Sequence, residues 1–212
     1  DGTIAFASEH DRGLAGSDQP DEGAGLEEGQ SGDQGIGPGA ECVGEVGECG
    51  FEIGRLHERQ IPIMAVVATA GHTATGSIDD LDAIGALCDG EAIWLHIDGA
   101  HGATAVMSDR HRHRVRGMER ARSIAWDPHK MMLLPLPAGM LLVRSERELQ
   151  AAFAQRAPYL FHGEDDAARV PDQGVRSFQC SRRADVLKLW VVLQRLGRRG
   201  IAALHDHLCD LA

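Results

Sequence analysis

The chain has 212 residues, 25% of them charged, and a formal net charge of −11. That length suits one or two domains around one sizeable core. The acidic balance argues against a nucleic-acid binder, and no apolar run reaches the roughly 18 residues that spanning a membrane requires. Cys42, Cys49, Cys88, Cys180 and Cys209 are odd in number and lack CxxC pairing, which predicts reduced thiols, no metal site and a cytoplasmic location.

The charge is unevenly placed. Residues 1–54 hold 13 Asp and Glu against one basic residue, Arg12, together with 14 of the 26 glycines. Such a segment offers little apolar surface to offset its ordering entropy. It is expected to be disordered, a divergent part of the fold, or the product of a reading-frame error. Residues 55–212 carry 19 acidic and 20 basic residues and the patterning of a globular α/β domain. A boundary is therefore predicted at 54/55.

From there the elements follow in order. Ile61 to Ala70 is a near-continuous apolar run with β-branched Val66 and Val67, the signature of a buried parallel strand. Gly71 to Gly76 forms the loop at its carboxyl end. Ser77 to Asp80 supplies N-cap candidates for a helix presenting Leu81, Ile84 and Leu87 on one face. Strands are predicted at Glu91 to Ile97, Arg122 to Trp126 and Gly139 to Val143. The basic run Arg110 to Arg116 between them, with no cysteine nearby, reads as an exposed connection. A helix from about Ser145 to Arg156 is expected to bury Leu149, Ala152 and Phe153. Another, from about Ala184 to Leu196, places Trp190 among core positions. Strands alternating with helices imply a mostly parallel sheet with ligands at the strands' carboxyl ends.

Two residues at such ends carry chemistry. The strand Glu91 to Ile97 runs into Asp98-Gly99-Ala100-His101-Gly102, so a carboxylate stands where small residues let a flat ring approach the backbone. The alternative is an Asp capping the next segment. Lys130 ends Asp127-Pro128-His129-Lys130, between apolar runs. A lysine buried there has a lowered pKa and a nucleophilic amine suited to Schiff-base formation; the alternative is a lysine that snorkels to the surface. Together the two offer an amine for the aldehyde of pyridoxal phosphate and an anion for its ring nitrogen.

Trp94 to Gly102 and Ser123 to Lys130 resemble the group II pyridoxal-phosphate-dependent amino acid decarboxylases, which include glutamate, cysteine sulfinate, aromatic amino acid and diaminobutyrate decarboxylases. Three further blocks match in the same order: Val66 to Asp79, Ala157 to Phe161, and Gln179 to Arg183 continuing to Leu189-Trp190. The resemblance covers roughly residues 60–212 and implies the large domain of a fold type I (aspartate aminotransferase-like) transferase. It implies a homodimer that decarboxylates an L-amino acid, with an interior fragment of such an enzyme in this chain. It also favours the frame-error reading of residues 1–54: Phe6 to His10 looks like the start of the family's SE-x-x-H segment, yet His10 is wrongly spaced to be the ring-stacking histidine.

The resemblance assigns Lys130 as the Schiff-base lysine, Asp98 as the partner of the pyridine nitrogen and Ala100 as the small residue against the ring. His129 and Asp127 match positions near the phosphate, where many relatives carry Asn in place of Asp127. Thr73 matches a threonine near the cofactor, with His72 replacing the usual neighbouring threonine; a plain polar turn is the other reading. Tyr159, the sole tyrosine, matches a catalytic loop residue that helps protonate the substrate carbon, or else anchors a loop. Arg182 matches an arginine near the substrate, or forms a solvated pair with Arg183. The wording around Tyr159 and Gln179-Cys180 leans toward a glutamate or cysteine sulfinate substrate. Two alternatives stay open: an inactive fragment, and another fold type I enzyme such as an aminotransferase or desulfurase.

Overall fold

The computed structural model describes residues 3–8, 41–43, 46–153, 176–179 and 182–212. A six-stranded sheet organises them, in the order β2-β1-β3-β4-β5-β6. Its strands are β1 (Thr3–Ser8), β2 (Glu41–Val43), β3 (Ile63–Thr69), β4 (Trp94–Asp98), β5 (Ser123–Trp126) and β6 (Met140–Val143). All pair in parallel except β5 with β6. The four strands expected from apolar runs are present. The last is antiparallel because the short Asp127–Gly139 link contains no helix to carry the chain back across the sheet.

The core lies against one face of the central strands. Val66 and Ala68 of β3 and Leu95 and Ile97 of β4 alternate inward and are essentially inaccessible. Helices α1 (Val46–Glu58) and α2 (Leu81–Gly90) cover them. Helix α2 starts as expected, with the Asp80 side chain accepting from Ala83 N at 3.1 Å. It buries Leu81, Ile84 and Cys88. Helix α1 runs straight across the 54/55 boundary, because Cys49, Ile53 and Leu56 recur at helical spacing and are buried. The glycines at 47, 50 and 54 obscure that pattern in the sequence. Strands β1 and β2 also fall within residues 1–54.

Two expectations about burial fail. Helix α3 (Glu146–Phe153) has no buried residue: Leu149 and Phe153 are half-buried and Ala152 is exposed. Helix α4 spans Val186–Leu211, far beyond Leu196, and Trp190 is 58% exposed rather than core. In both cases the apolar stripe is real but only partly covered: Phe153 meets Phe178 edge-on at 5.4 Å, and Leu189 and Val192 of α4 pack against the core while Trp190 faces outward. Helix α4 kinks at Gly197 (φ 59°, ψ −177°), backbone that only glycine adopts without strain. Beyond the kink, α4 packs onto the 3-10 turn Ala103–Met107 and buries Ile201 and His205, the latter edge-on to the His111 ring. Among the described residues, no helix is long and apolar enough to cross a membrane.

Candidate active site

The carboxyl ends of β3, β4 and β5 lie side by side, with Thr69 opposite Asp98 and Asp98 opposite Ala125. Asp98 closes β4 with its side chain exposed, and its Oδ1 accepts from Ala100 N at 3.0 Å. The loops leaving these strands are tied through their backbones. Gly99 N donates to Ala125 O (3.0 Å), Gly102 N to Ala70 O (2.9 Å) and Asp127 N to Ala100 O (3.3 Å). A Cβ on Gly102 would stand 2.4 Å from Ala70 O, and one on Gly99 would stand 2.9 Å from Ala103 Cβ. Gly71, at φ +94°, turns the chain just where it meets Gly102. Small residues here are therefore a steric requirement of the way the three loops pack against one another beside Asp98.

Lys130 stands at the neighbouring loop, after β5. It is not buried: its side chain is 33% exposed, and Nζ lies 3.1 Å from Asp127 Oδ2. The premise of a desolvated ammonium is therefore corrected. The flanking apolar runs turn Met132 and Leu134 inward and leave the amine at the surface, beside an anion. His129 Nε2 is 3.8 Å from the same Asp127 oxygen, while its Nδ1 lies 2.7 Å from Ala138 O. Asp127 thus sits between the Lys130 amine and the His129 ring. Gly139 gives it room, since a Cβ there would come within 3.0 Å of Asp127 Oδ1.

Asp98, Ala100, Asp127, His129 and Lys130 are therefore gathered on adjoining loops, with Thr73 exposed on the third loop, beyond Gly71. Arg182 is not gathered with them. It lies exposed ahead of α4, where its charge acts on Asp185. Tyr159 lies outside the described residues, as do Ala157 to Phe161, Cys180 and His10.

Sequence reasoning passed over a supporting cluster on β4. Trp94, His96 and Asp98 share one strand face. Trp94 Nε1 donates to the buried Ser123 hydroxyl at 2.9 Å, and His96 Nδ1 lies 2.7 Å from the same oxygen. Burial pushes the His96 imidazole below its ordinary value, against a smaller opposing pull from Asp98. The alternation Trp94-x-His96-x-Asp98 was the available signal. An apolar cavity of about 530 Å³ lies elsewhere, lined by Val106, Val115, Met118, Ile124, Trp126 and Leu142 among others, and none of the expected site residues faces it. Among the described residues, no group of three or more His, Cys, Asp or Glu side chains could hold a metal ion.

A mostly parallel sheet that presents a carboxylate and a lysine on adjoining carboxyl-end loops defines the α/β class of fold type I transferases. The particular family follows from comparison: the conserved domain of pyridoxal-dependent decarboxylases matches residues 52–212, and the chain belongs to that family. It is 37% identical over 145 residues to the acidic amino acid decarboxylase GADL1 of Mus musculus, covering 68% of this chain and 26% of that protein. It is 38% identical over 145 residues to the cysteine sulfinic acid decarboxylase of Rattus norvegicus, covering 68% and 29%. Among solved structures, mouse CSAD superposes with a TM-score of 0.72 at 30% identity, over 81% of this chain and 37% of that one. The Oryza sativa TDC solved with PLP and tryptamine gives 0.70 at 26% identity, over 75% and 32%. The chain spans under a third of the length of these two curated relatives.

Proposed function

We propose that this chain carries the cofactor-lysine portion of a pyridoxal-phosphate-dependent carboxy-lyase acting on an acidic L-amino acid of the glutamate or cysteine sulfinate type. The observation that carries the reading is the placement of Asp98 and Lys130 on adjoining loops whose close backbone packing admits only small residues beside Asp98. The family and the names of its relatives support it: acidic amino acid and cysteine sulfinic acid decarboxylases stand among the matches.

The donor set fits pyridoxal phosphate. Asp98 would hold the protonated ring nitrogen, with His96 and Ser123 steadying the strand beneath it. Ala100 and Gly99 would let the ring lie close to the backbone. Lys130 would supply the amine that condenses with the cofactor's aldehyde, and Asp127 would orient that amine until it is displaced. When bound, the cofactor supplies an electron sink for the carbanion left by loss of CO2. His129 and Thr73 would border the cofactor, Tyr159 would return a proton to the substrate carbon, and Arg182 would meet the substrate only if the segment ahead of α4 turns toward the site. A homodimer in the cytoplasm, and a PLP-binding unit beginning near residue 55, belong to the same proposal.

Borohydride reduction of the chain with pyridoxal phosphate, followed by peptide mapping, tests it. A phosphopyridoxyl group confined to Lys130 is expected. Release of CO2 from cysteine sulfinate, glutamate or aspartate, in preference to aromatic amino acids, then completes the assignment. Transfer of the amino group without CO2 would indicate an aminotransferase. Labelling spread over surface lysines, or absent, would leave the chain without the chemistry and make it an inactive fragment.

A further inference from the structure

Lys188, in the first turn of α4, makes contacts out of proportion to a surface lysine. Its Nζ lies 2.8 Å from Pro137 O, 3.3 Å from Pro135 O and 2.7 Å from Asp185 Oδ1. An ammonium group has three protons, and here three acceptors surround it. The side chain is only 24% exposed. Its two carbonyl partners belong to the loop that runs from Lys130 to β6.

That loop is anchored on one side only. Met132, Leu134 and Ala138 are buried, whereas Leu133 and Leu136 are 59% and 71% exposed, and Pro135 and Pro137 are exposed as well. The segment Pro135-Leu136-Pro137 contains one backbone N–H in three residues, so it is poorly equipped to fasten itself through its own donors. Its carbonyls are fastened from outside, by Lys188. Immediately after Pro137, Ala138 holds His129: His129 N donates to Ala138 O at 3.3 Å, and the ring Nδ1 either donates to Ala138 O (2.7 Å) or accepts from Ala138 N (3.2 Å), according to its tautomer. His129 is the neighbour of Lys130. A continuous set of contacts therefore runs from Asp185 through Lys188, the Pro135–Pro137 carbonyls, Ala138 and His129 to Lys130.

We infer that Lys188 is a positioning residue for the Lys130 amine: it clamps the outer side of the 131–139 loop and thereby fixes the His129–Lys130 turn. The inference rests on the assignment of Lys130 proposed above. Asp185 serves the clamp by orienting Lys188, and the first turn of α4 is held against the cofactor-lysine loop by this contact. A lysine that only solubilised the helix surface would have no effect on that loop.

The test uses the full chain with Lys188→Met, Lys188→Arg and Asp185→Asn. Without cofactor, Lys188→Met is expected to speed hydrogen exchange at the Leu134 and Ala138 amides about tenfold or more, the consequence of losing charge-assisted bonds to that loop. The amides of Leu95 and Ile97 should stay within about twofold of wild type. Lys188→Arg restores most of the protection, and Asp185→Asn gives an intermediate effect. The pyridoxal phosphate concentration that half-saturates borohydride labelling at Lys130 should rise about tenfold in Lys188→Met. Unchanged loop exchange, or a rise shared equally by loop and core, overturns the clamp. If the wild-type chain is not labelled at Lys130 yet Lys188→Met still loosens the loop selectively, the clamp stands and the assignment of Lys130 falls.

Discussion

Gly102→Ala adds one methyl group and should be among the most damaging small substitutions in the chain. A Cβ at residue 102 would lie 2.4 Å from Ala70 O, 2.9 Å from Ala70 C and 3.2 Å from Gly71 N. All three are backbone atoms, so no side-chain rotamer can relieve the contact. The oxygen that clashes is also the acceptor of the 2.9 Å bond from Gly102 N. Separating the loops to an ordinary carbon–oxygen contact requires a shift of roughly 0.8 Å or more, which breaks that bond. Losing a buried backbone hydrogen bond costs about 1 kcal/mol, and overpacking against a rigid neighbour costs about 1–3 kcal/mol. The expected destabilisation is therefore about 2–4 kcal/mol. The same shift moves the loop bearing Ala100, so labelling at Lys130 should require more cofactor. Urea denaturation checks the first expectation, with Gly90→Ala as control: nothing lies within 4 Å of a Cβ there, and the change should be neutral or slightly stabilising. A Gly102→Ala chain within about 0.5 kcal/mol of wild type, with unchanged labelling, would refute the claim that the small residues beside Asp98 are sterically compelled.

The buried histidine of α4, His205, should make stability depend on pH. Burial lowers the His205 pKa, helped by the nearby charges of His111, His101 and Arg114 and opposed by Asp206. Its ring meets His111 edge-on at 5.6 Å between centroids, and its Nε2 lies 3.6 Å from Cys209 Sγ. Because the folded-state pKa lies below the unfolded one, the unfolded chain binds the proton more readily. The contribution of neutral His205 is thus complete above about pH 6.5 and is lost as pH falls toward the depressed folded value. Urea midpoints at pH 7.5 and 5.5 should differ in wild type and differ less in His205→Phe; equal pH dependence in the two chains would sink the assignment. Cys88 offers a chemical check on the core. It is 1% exposed, and burial, with a smaller push from Asp89, raises its thiol pKa to about 11. Iodoacetamide at pH 8 should leave Cys88 unmodified in the native chain and label it after unfolding. Native labelling at the rate of a free thiol would show that α2 does not seal that face.

Much of the candidate site's placement was legible in the sequence because it is written in local terms. Each central strand is an apolar run that stops abruptly, and Asp98 and Lys130 stand at or just beyond such stops. The small residues Gly99, Ala100 and Gly102 mark the tightly packed loop after β4 without reference to any distant contact. The β3 loop was legible for the same reason, with Asp80 capping α2 as its position suggested. The burial state of Lys130 was not legible. Apolar neighbours in sequence do not say which way a side chain leaves a turn, and here Met132 and Leu134 turn inward while the amine turns toward Asp127.

Sequence alone therefore determined the strand-and-helix order from residue 55 onward, the chemistry available at the strand ends and, through five ordered blocks, the family. Periodicity of apolar residues is a property of one element, and it survives without knowledge of its neighbours. Tertiary structure alone decided what covers each apolar stripe. It left Trp190 exposed, kept α3 free of buried residues, drew α1 across the compositional boundary and turned β6 antiparallel. It alone brought Lys188 to the Pro135 and Pro137 carbonyls, more than 50 residues away along the chain. Contacts at that separation depend on how the whole sheet is assembled, and no local pattern encodes them.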